Sequence, residues 1–102
     1  RQVLFWCQEH FTEPVTIPVA AKALLISESQ LSHLFSGRIH VGFRDYINSL
    51  RVQMATIMLT ETDKPISEIA FDCGFTSFST FNRAFRLSTG MTPREMRKRG
   101  KR

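Results

Sequence analysis

The chain has no apolar run near the ~20 residues that a membrane-spanning helix requires. Its opening, RQVLFWCQEHF, is too polar after Cys7 to be a cleavable export signal. Strand signals are scarce as well. No alternation of apolar and polar residues persists, and no Asn-Gly or Asp-Gly pair marks a hairpin. Cysteine is limited to Cys7 and Cys73, far apart in mixed apolar contexts. They can form a structural pair, but two buried free thiols in a reducing compartment are the favoured reading. No metal-ligand spacing links His10, His33, His40, Cys7 and Cys73. No glycine-rich loop offers to cradle a phosphate, and no Ser/His/Asp set shares a face. An enzyme, a metal site and a cofactor are therefore not expected.

What is present suits one small domain: 102 residues, 42% hydrophobic and 23% charged. Nine phenylalanines, with many Leu and Ile, argue against wholesale disorder. The net charge of +5 is unevenly placed. The tail at 94–102, REMRKRGKR, holds six of the fourteen basic residues and one acid, which leaves eight of each sign in residues 1–93. Such a tail suits phosphates but equally suits solvent, so it does not establish a partner by itself.

Helical spacing runs through almost the whole chain, which predicts an all-α fold of about seven helices. Val3, Leu4, Cys7 and Phe11 mark the first, before Pro14. A second spans about 17–24, with Pro18 near its start. Ser27 is placed to cap a third over 28–36, with Leu31, Leu34 and Phe35 inward. The stretch GRIHV reads as a loop. A long fourth helix follows over about 42–60. Pro65 opens a fifth that stops at Gly74, Ser77 caps a sixth to about Ser88, and Thr92 with Pro93 starts a seventh. The segment FTSFSTFNRAFRLSTG shows two faces. Phe81 and Phe85 share one. Ser79, Asn82, Arg83 and Arg86 run i, i+3, i+4, i+7 along another.

The helices repeat at an offset of fifty. Val19 falls on Ile69, Ala20 on Ala70, Leu25 on Phe75 and Ser27 on Ser77. Leu31 falls on Phe81, Phe35 on Phe85, Val41 on Met91, Arg44 on Arg94 and Asp45 on Glu95. Each unit reads as short helix, tight turn, capped helix, which is the grammar of a helix-turn-helix. The expected organisation is one domain over 1–102. Subdomain one covers about 3–41, a linker helix about 42–60, subdomain two about 61–99, and the basic tail 94–102.

The stretch ISEIAFDCGFTSFSTFNRAFRLSTGMTPREMRK resembles the C-terminal motif of the AraC/XylS family of bacterial transcription regulators. Ile66, Glu68, Ile69, Ala70, Gly74, Phe75, Phe81, Phe85, Gly90 and Pro93 stand where that family's pattern puts them. The likeness extends back through YINSLRVQMA and SESQLSHLF to cover about residues 3–99. It implies two helix-turn-helix units joined by a long helix, each laying its second helix in a major groove of promoter DNA, usually to activate transcription. It further implies RNA polymerase as a partner and a cytoplasmic, nucleoid-associated location. The chain opens at Arg1, without a methionine and directly on a helical pattern, so an N-terminal effector or dimerisation domain is expected to be absent from it. Three positions depart from the pattern. His40 is the counterpart of Gly90, the first turn LLIS has no glycine, and Met96 replaces a tyrosine.

The outward rows differ between units. Unit one offers Ser29, Ser32, His33 and Ser36, and unit two Ser79, Asn82, Arg83 and Arg86. Arg can pair in two places with guanine, and Asn with adenine, each worth ~1–3 kcal/mol of discrimination. The expected base contacts are Ser29, Ser32, His33, Phe78, Ser79, Asn82 and Arg83, with unit two carrying most of the choice. Phe78 extends the core stripe as well as it meets a thymine methyl. His33 has no nucleophile or carboxylate in its row, which favours a DNA-facing donor over a catalytic base. Ser27, Ser36, Ser77, Arg86 and Arg94 are expected at phosphates. The rival reading is a helical protein-interaction module, with Trp6 beside the first stripe and only non-specific DNA affinity.

Overall fold

The computed structural model describes residues 2–100; Arg1 and the last two basic residues of the tail lie outside the described part. Among the described residues there are seven α-helices and no strand. They are α1 (Gln2–His10), α2 (Ile17–Leu24), α3 (Glu28–Leu34), α4 (Phe43–Glu61), α5 (Ile66–Asp72), α6 (Phe78–Thr89) and α7 (Pro93–Gly100). A π-helical turn, Phe35–Ile39, continues α3.

Local chemistry sets the starts. Thr16 caps α2, its hydroxyl accepting from the Val19 amide at 3.3 Å. Ser27 and Gln30 cap α3 reciprocally, at 2.9 and 3.0 Å. Ser77 accepts from the Thr80 amide at 3.1 Å to start α6. Thr92 and Glu95 form the same reciprocal pair at the start of α7. Each device satisfies amides that a helix start leaves without partners.

Two hydrophobic cores form. Cys7, Ala20, Ala21, Leu31, Phe35, Phe43 and Ile47 build the first. Val52, Ala55, Leu59, Ile69, Ala70, Cys73, Phe75, Phe81 and Phe85 build the second. The long α4 gives its first half to one core and its second half to the other. Phe35, Phe81 and Phe85 are fully buried, each worth about 1.5–3 kcal/mol in apolar area removed from water. The two cysteines are free and buried in different cores, so they are not a pair. Burial pushes both thiols up from the ordinary 9.0 to about 11.

The repeat needs one correction. The Ile26 amide reaches back to the Ala21 carbonyl, and the Phe75 amide to the Ala70 carbonyl; Leu25 bonds Lys22, and Gly74 bonds Phe71. The first helices and turns therefore correspond at an offset of forty-nine. Ala21 matches Ala70, Leu25 matches Gly74 and Ile26 matches Phe75. Unit two carries one extra residue, Thr76, before its cap, which restores an offset of fifty from Ser27 and Ser77 onward. Leu25 thus occupies the glycine position of the first turn, with φ at 61°, while Gly74 has φ at 108°. His40 likewise takes the place of Gly90, at φ 66° against 76°. His is among the residues that enter this left-handed region more readily.

The end of the third helix also differs from expectation. The α-helix stops at Leu34 rather than Ser36, and GRI belongs to the π turn rather than to a loop. The His40 amide closes the turn on the Phe35 carbonyl at 2.7 Å. Ser36 therefore leaves the α spacing that aligned it with Ser29 and Ser32.

Candidate nucleic-acid interface

In unit two, α6 buries Phe81 and Phe85 completely and turns the opposite face out. Ser79, Arg83 and Arg86 are exposed there, and Asn82 is half-buried. The row straddles a ridge, because Asn82 and Arg83 are ~100° apart around a helix. On one side Asn82, Arg86 and Phe78 share a cleft with Arg94 of α7 and Ser67 of α5. On the other, Arg83 shares a cleft with Arg44 and Asn48 of α4 and Thr80 of its own helix.

The side chains of Asn82, Arg83, Arg86 and Arg94 make no hydrogen bond or ion pair within the described residues. Arg83 lies in the same cleft as Asp45 yet does not pair with it. A guanidinium carries five donors and no acceptor. These groups therefore present a set of uncommitted donors on one helix and its neighbour. Phe78 extends the core stripe and yet stays partly open to solvent. Its ring lies 5.8 Å from that of Phe81, tilted, and the residue remains 42% exposed.

Unit one is plainer. Ser29, Ser32, His33 and Ser36 are all exposed. Ser29 and His33 share a shallow cleft with Gln30, Gly37 and Arg38. The Ser36 hydroxyl donates to the His33 carbonyl at a long 3.4 Å. At Ser27 the backbone amide is already taken by Gln30, so a phosphate there would have to meet its hydroxyl or the next amides. The Ser77 hydroxyl donates to Thr80 Oγ1 at 2.9 Å while accepting the Thr80 amide.

Three basic or amide side chains in these clefts lie outside the two expected outward rows. Arg44 and Asn48 sit on α4, which reads as a linker, and Arg38 sits in a stretch that reads as a loop. Arg44 had a signal, since it repeats Arg94. Asn48 and Arg38 had none. No group of three or more His, Cys, Asp or Glu among the described residues could hold a metal ion. No described helix is long and apolar enough to cross a membrane.

A family model described as a helix-turn-helix domain matches residues 20–99. The regulatory protein SoxS of Escherichia coli (strain K12) is 35% identical over 99 residues, spanning 97% of this chain and 92% of its own length. The structure of an AraC-type regulator from Chromobacterium violaceum superposes with a TM-score of 0.87 at 28% identity, over 96% of this chain and 88% of that one. The DNA-binding domain of AdpA, solved in complex with a target DNA, superposes with a TM-score of 0.88 at 24% identity over 96% and 88%, and shares the fold.

Proposed function

The chain belongs to the AraC family of helix-turn-helix, DNA-binding transcription regulators, and from that premise we propose that it recognises an asymmetric promoter site with two unequal readers. In this reading α3 and α6 enter adjacent major grooves of one duplex. The four uncommitted side chains around α6 carry it. Arg83 and Asn82, with Ser79 and Phe78, meet base edges, while Arg86, Arg94 and Ser77 hold phosphates. Ser29, Ser32 and His33 make weaker base contacts in unit one, and Ser27 and Ser36 add phosphate contacts. Arg44 and Arg38 extend the phosphate track.

The nineteen residues of α4 span about 28 Å at ~1.5 Å per residue. Successive major-groove faces on one side of DNA are ~34–36 Å apart. A rod of that length brings two readers near that spacing but not onto it, which favours modest bending of the DNA. Because the units are direct repeats, the site needs no palindrome. The outcome in the cell is activation through contact with RNA polymerase, in the bacterial cytoplasm and on nucleoid DNA.

Selection of bound duplexes from a random pool tests this reading. The expected product is one asymmetric consensus with two short conserved blocks, the stronger one losing its preference at a single base position when Arg83 is replaced. Competition by random duplex as effective as by the selected one would overturn it in favour of a protein-interaction module.

A further inference from the structure

Among the described residues, Arg51 is the one buried charged residue, at 9% exposure. It stands midway along α4, between Ile47 of the first core and Val52 of the second. Its Nε donates to the Phe11 carbonyl at 2.6 Å and its Nη2 to the Glu13 carbonyl at 3.0 Å. Both acceptors lie just after α1, in unit one. The guanidinium carbon also sits 5.6 Å from the centre of the Phe75 ring, which belongs to the core of unit two. Gly74 closes the junction. A Cβ on it would fall 2.8 Å from the Phe11 carbonyl oxygen, 2.9 Å from Arg51 Nε and 3.0 Å from Thr12 Cα.

A second arginine supplies the control. Arg97 of α7 donates from Nε to the Leu59 carbonyl at 3.1 Å and from Nη2 to the Thr62 carbonyl at 3.2 Å. It closes the end of α4 as Arg51 closes the end of α1. Its acceptors lie at the end of the helix that leads into its own unit, whereas Arg51 also touches the turn of the other unit. The broad helix pairings within the molecule lie inside one unit or involve α4. Beside α4, the Arg51–Gly74–Phe11 junction joins the two units directly.

We infer that Arg51, seated against Gly74, is a positioning residue that holds the two reading helices at one relative angle and so sets which half-site spacing the chain accepts. This rests on the DNA-reading proposal above. Adding one base pair moves the far half-site by ~3.4 Å and turns it by ~35°, since a turn of 10–10.5 base pairs spans ~34–36 Å. A latched pair of units cannot follow that change, and an unlatched pair can.

The test measures fluorescence anisotropy of the chain on the selected duplex, on that duplex with one base pair inserted or removed between its halves, and on each half alone. The wild-type chain is expected to lose about tenfold or more in affinity at either altered spacing. Arg51→Met is expected to bind the original spacing about fivefold more weakly and the altered spacings within about twofold of that. Base preferences within each half, and affinity for single halves, stay as in the wild type. Arg97→Met keeps the wild-type spacing profile. A profile for Arg51→Met that runs parallel to the wild type overturns the positioning role and leaves DNA reading intact, as does a wild type that is sequence-specific but indifferent to spacing. A wild type indifferent to sequence removes the DNA reading itself, and this inference with it. Should Arg51→Met lose its cooperative melting transition, Gly74→Ala takes its place with the same expected profile. Loss of cooperative melting in both would make the junction a folding determinant only and overturn the proposal.

Discussion

Gly74 and Arg51 meet in the junction between the two units, with Gly74 at φ 108° and the space for its missing side chain already filled by Arg51 Nε, 2.9 Å from where a Cβ would stand. Two penalties coincide at this glycine. The conformation disfavours any L side chain, and two of the neighbours are backbone, the Phe11 carbonyl and Thr12 Cα. Gly74→Ala should therefore destabilise the fold by about 2–3 kcal/mol. Urea denaturation checks it. A loss under about 0.5 kcal/mol would show that the junction relaxes freely.

Leu25 offers the opposite experiment. It takes the left-handed conformation at φ 61° while remaining 91% exposed, so its side chain returns little packing for the strain. Leu25→Gly should raise stability by about 1 kcal/mol, because the left-handed region costs an L residue ~1–2 kcal/mol and glycine's added freedom in the unfolded chain takes some of that back. For a chain of this size the melting temperature should rise by roughly 4–8 °C. A fall in melting temperature would mean that Leu25 contributes contacts beyond its burial.

Replacement of the outward donors separates reading from holding. Arg83→Ala should cost about 1–3 kcal/mol on the selected duplex and relax preference at a single base position. Arg86→Ala and Arg94→Ala should weaken all duplexes alike and each lower the salt slope by about one. Single alanines at Ser29, Ser32 and His33 should each cost about 1 kcal/mol or less, as single hydrogen bonds do. The measurement is affinity against base substitutions at several salt concentrations. Uniform weakening by Arg83→Ala would move it from base to phosphate.

The buried thiols predict a pH dependence. Cys7 and Cys73 hold their protons up to about 11 in the folded chain, against 9.0 ordinarily, because burial disfavours the thiolate. Between those values the unfolded chain binds fewer protons, so stability must fall as pH rises. The contribution is intact below about 9 and is lost as pH climbs through about 11. In the native protein both thiols should alkylate slowly at about pH 8 and react quickly only in denaturant. A fast-reacting thiol in the folded chain would contradict the burial.

Much of this architecture is legible along the chain because it depends on neighbours in sequence. Ser27, Ser77 and Thr92 announce their helices, since a cap bonds amides within the next three residues. The Phe81 and Phe85 stripe announces its core, since both lie on one helical face. The turn of unit one is harder to see. Leu25 carries none of the glycine signal of Gly74, and Thr76 hides a one-residue shift behind an offset that looks uniform. The π turn after Leu34 is likewise unmarked, because Gly37 suggests a loop and says nothing about a wider helix.

At the interface the types of the outward groups on α6 are readable, but their division into two clefts is not. Asn82 and Arg83 adjoin in the chain, yet α7 and α5 flank the first while α4 flanks the second. The amino-acid order by itself determined the capped helix starts, the presence of two similar units and the face on which Asn82, Arg83 and Arg86 stand, because each follows from periodicity and bonds of short reach. Only tertiary structure decided that Arg51 is buried against Phe11, Glu13 and Phe75, and that Gly74 must leave it room. Those partners lie twenty to forty residues away and meet only when two cores assemble on one helix.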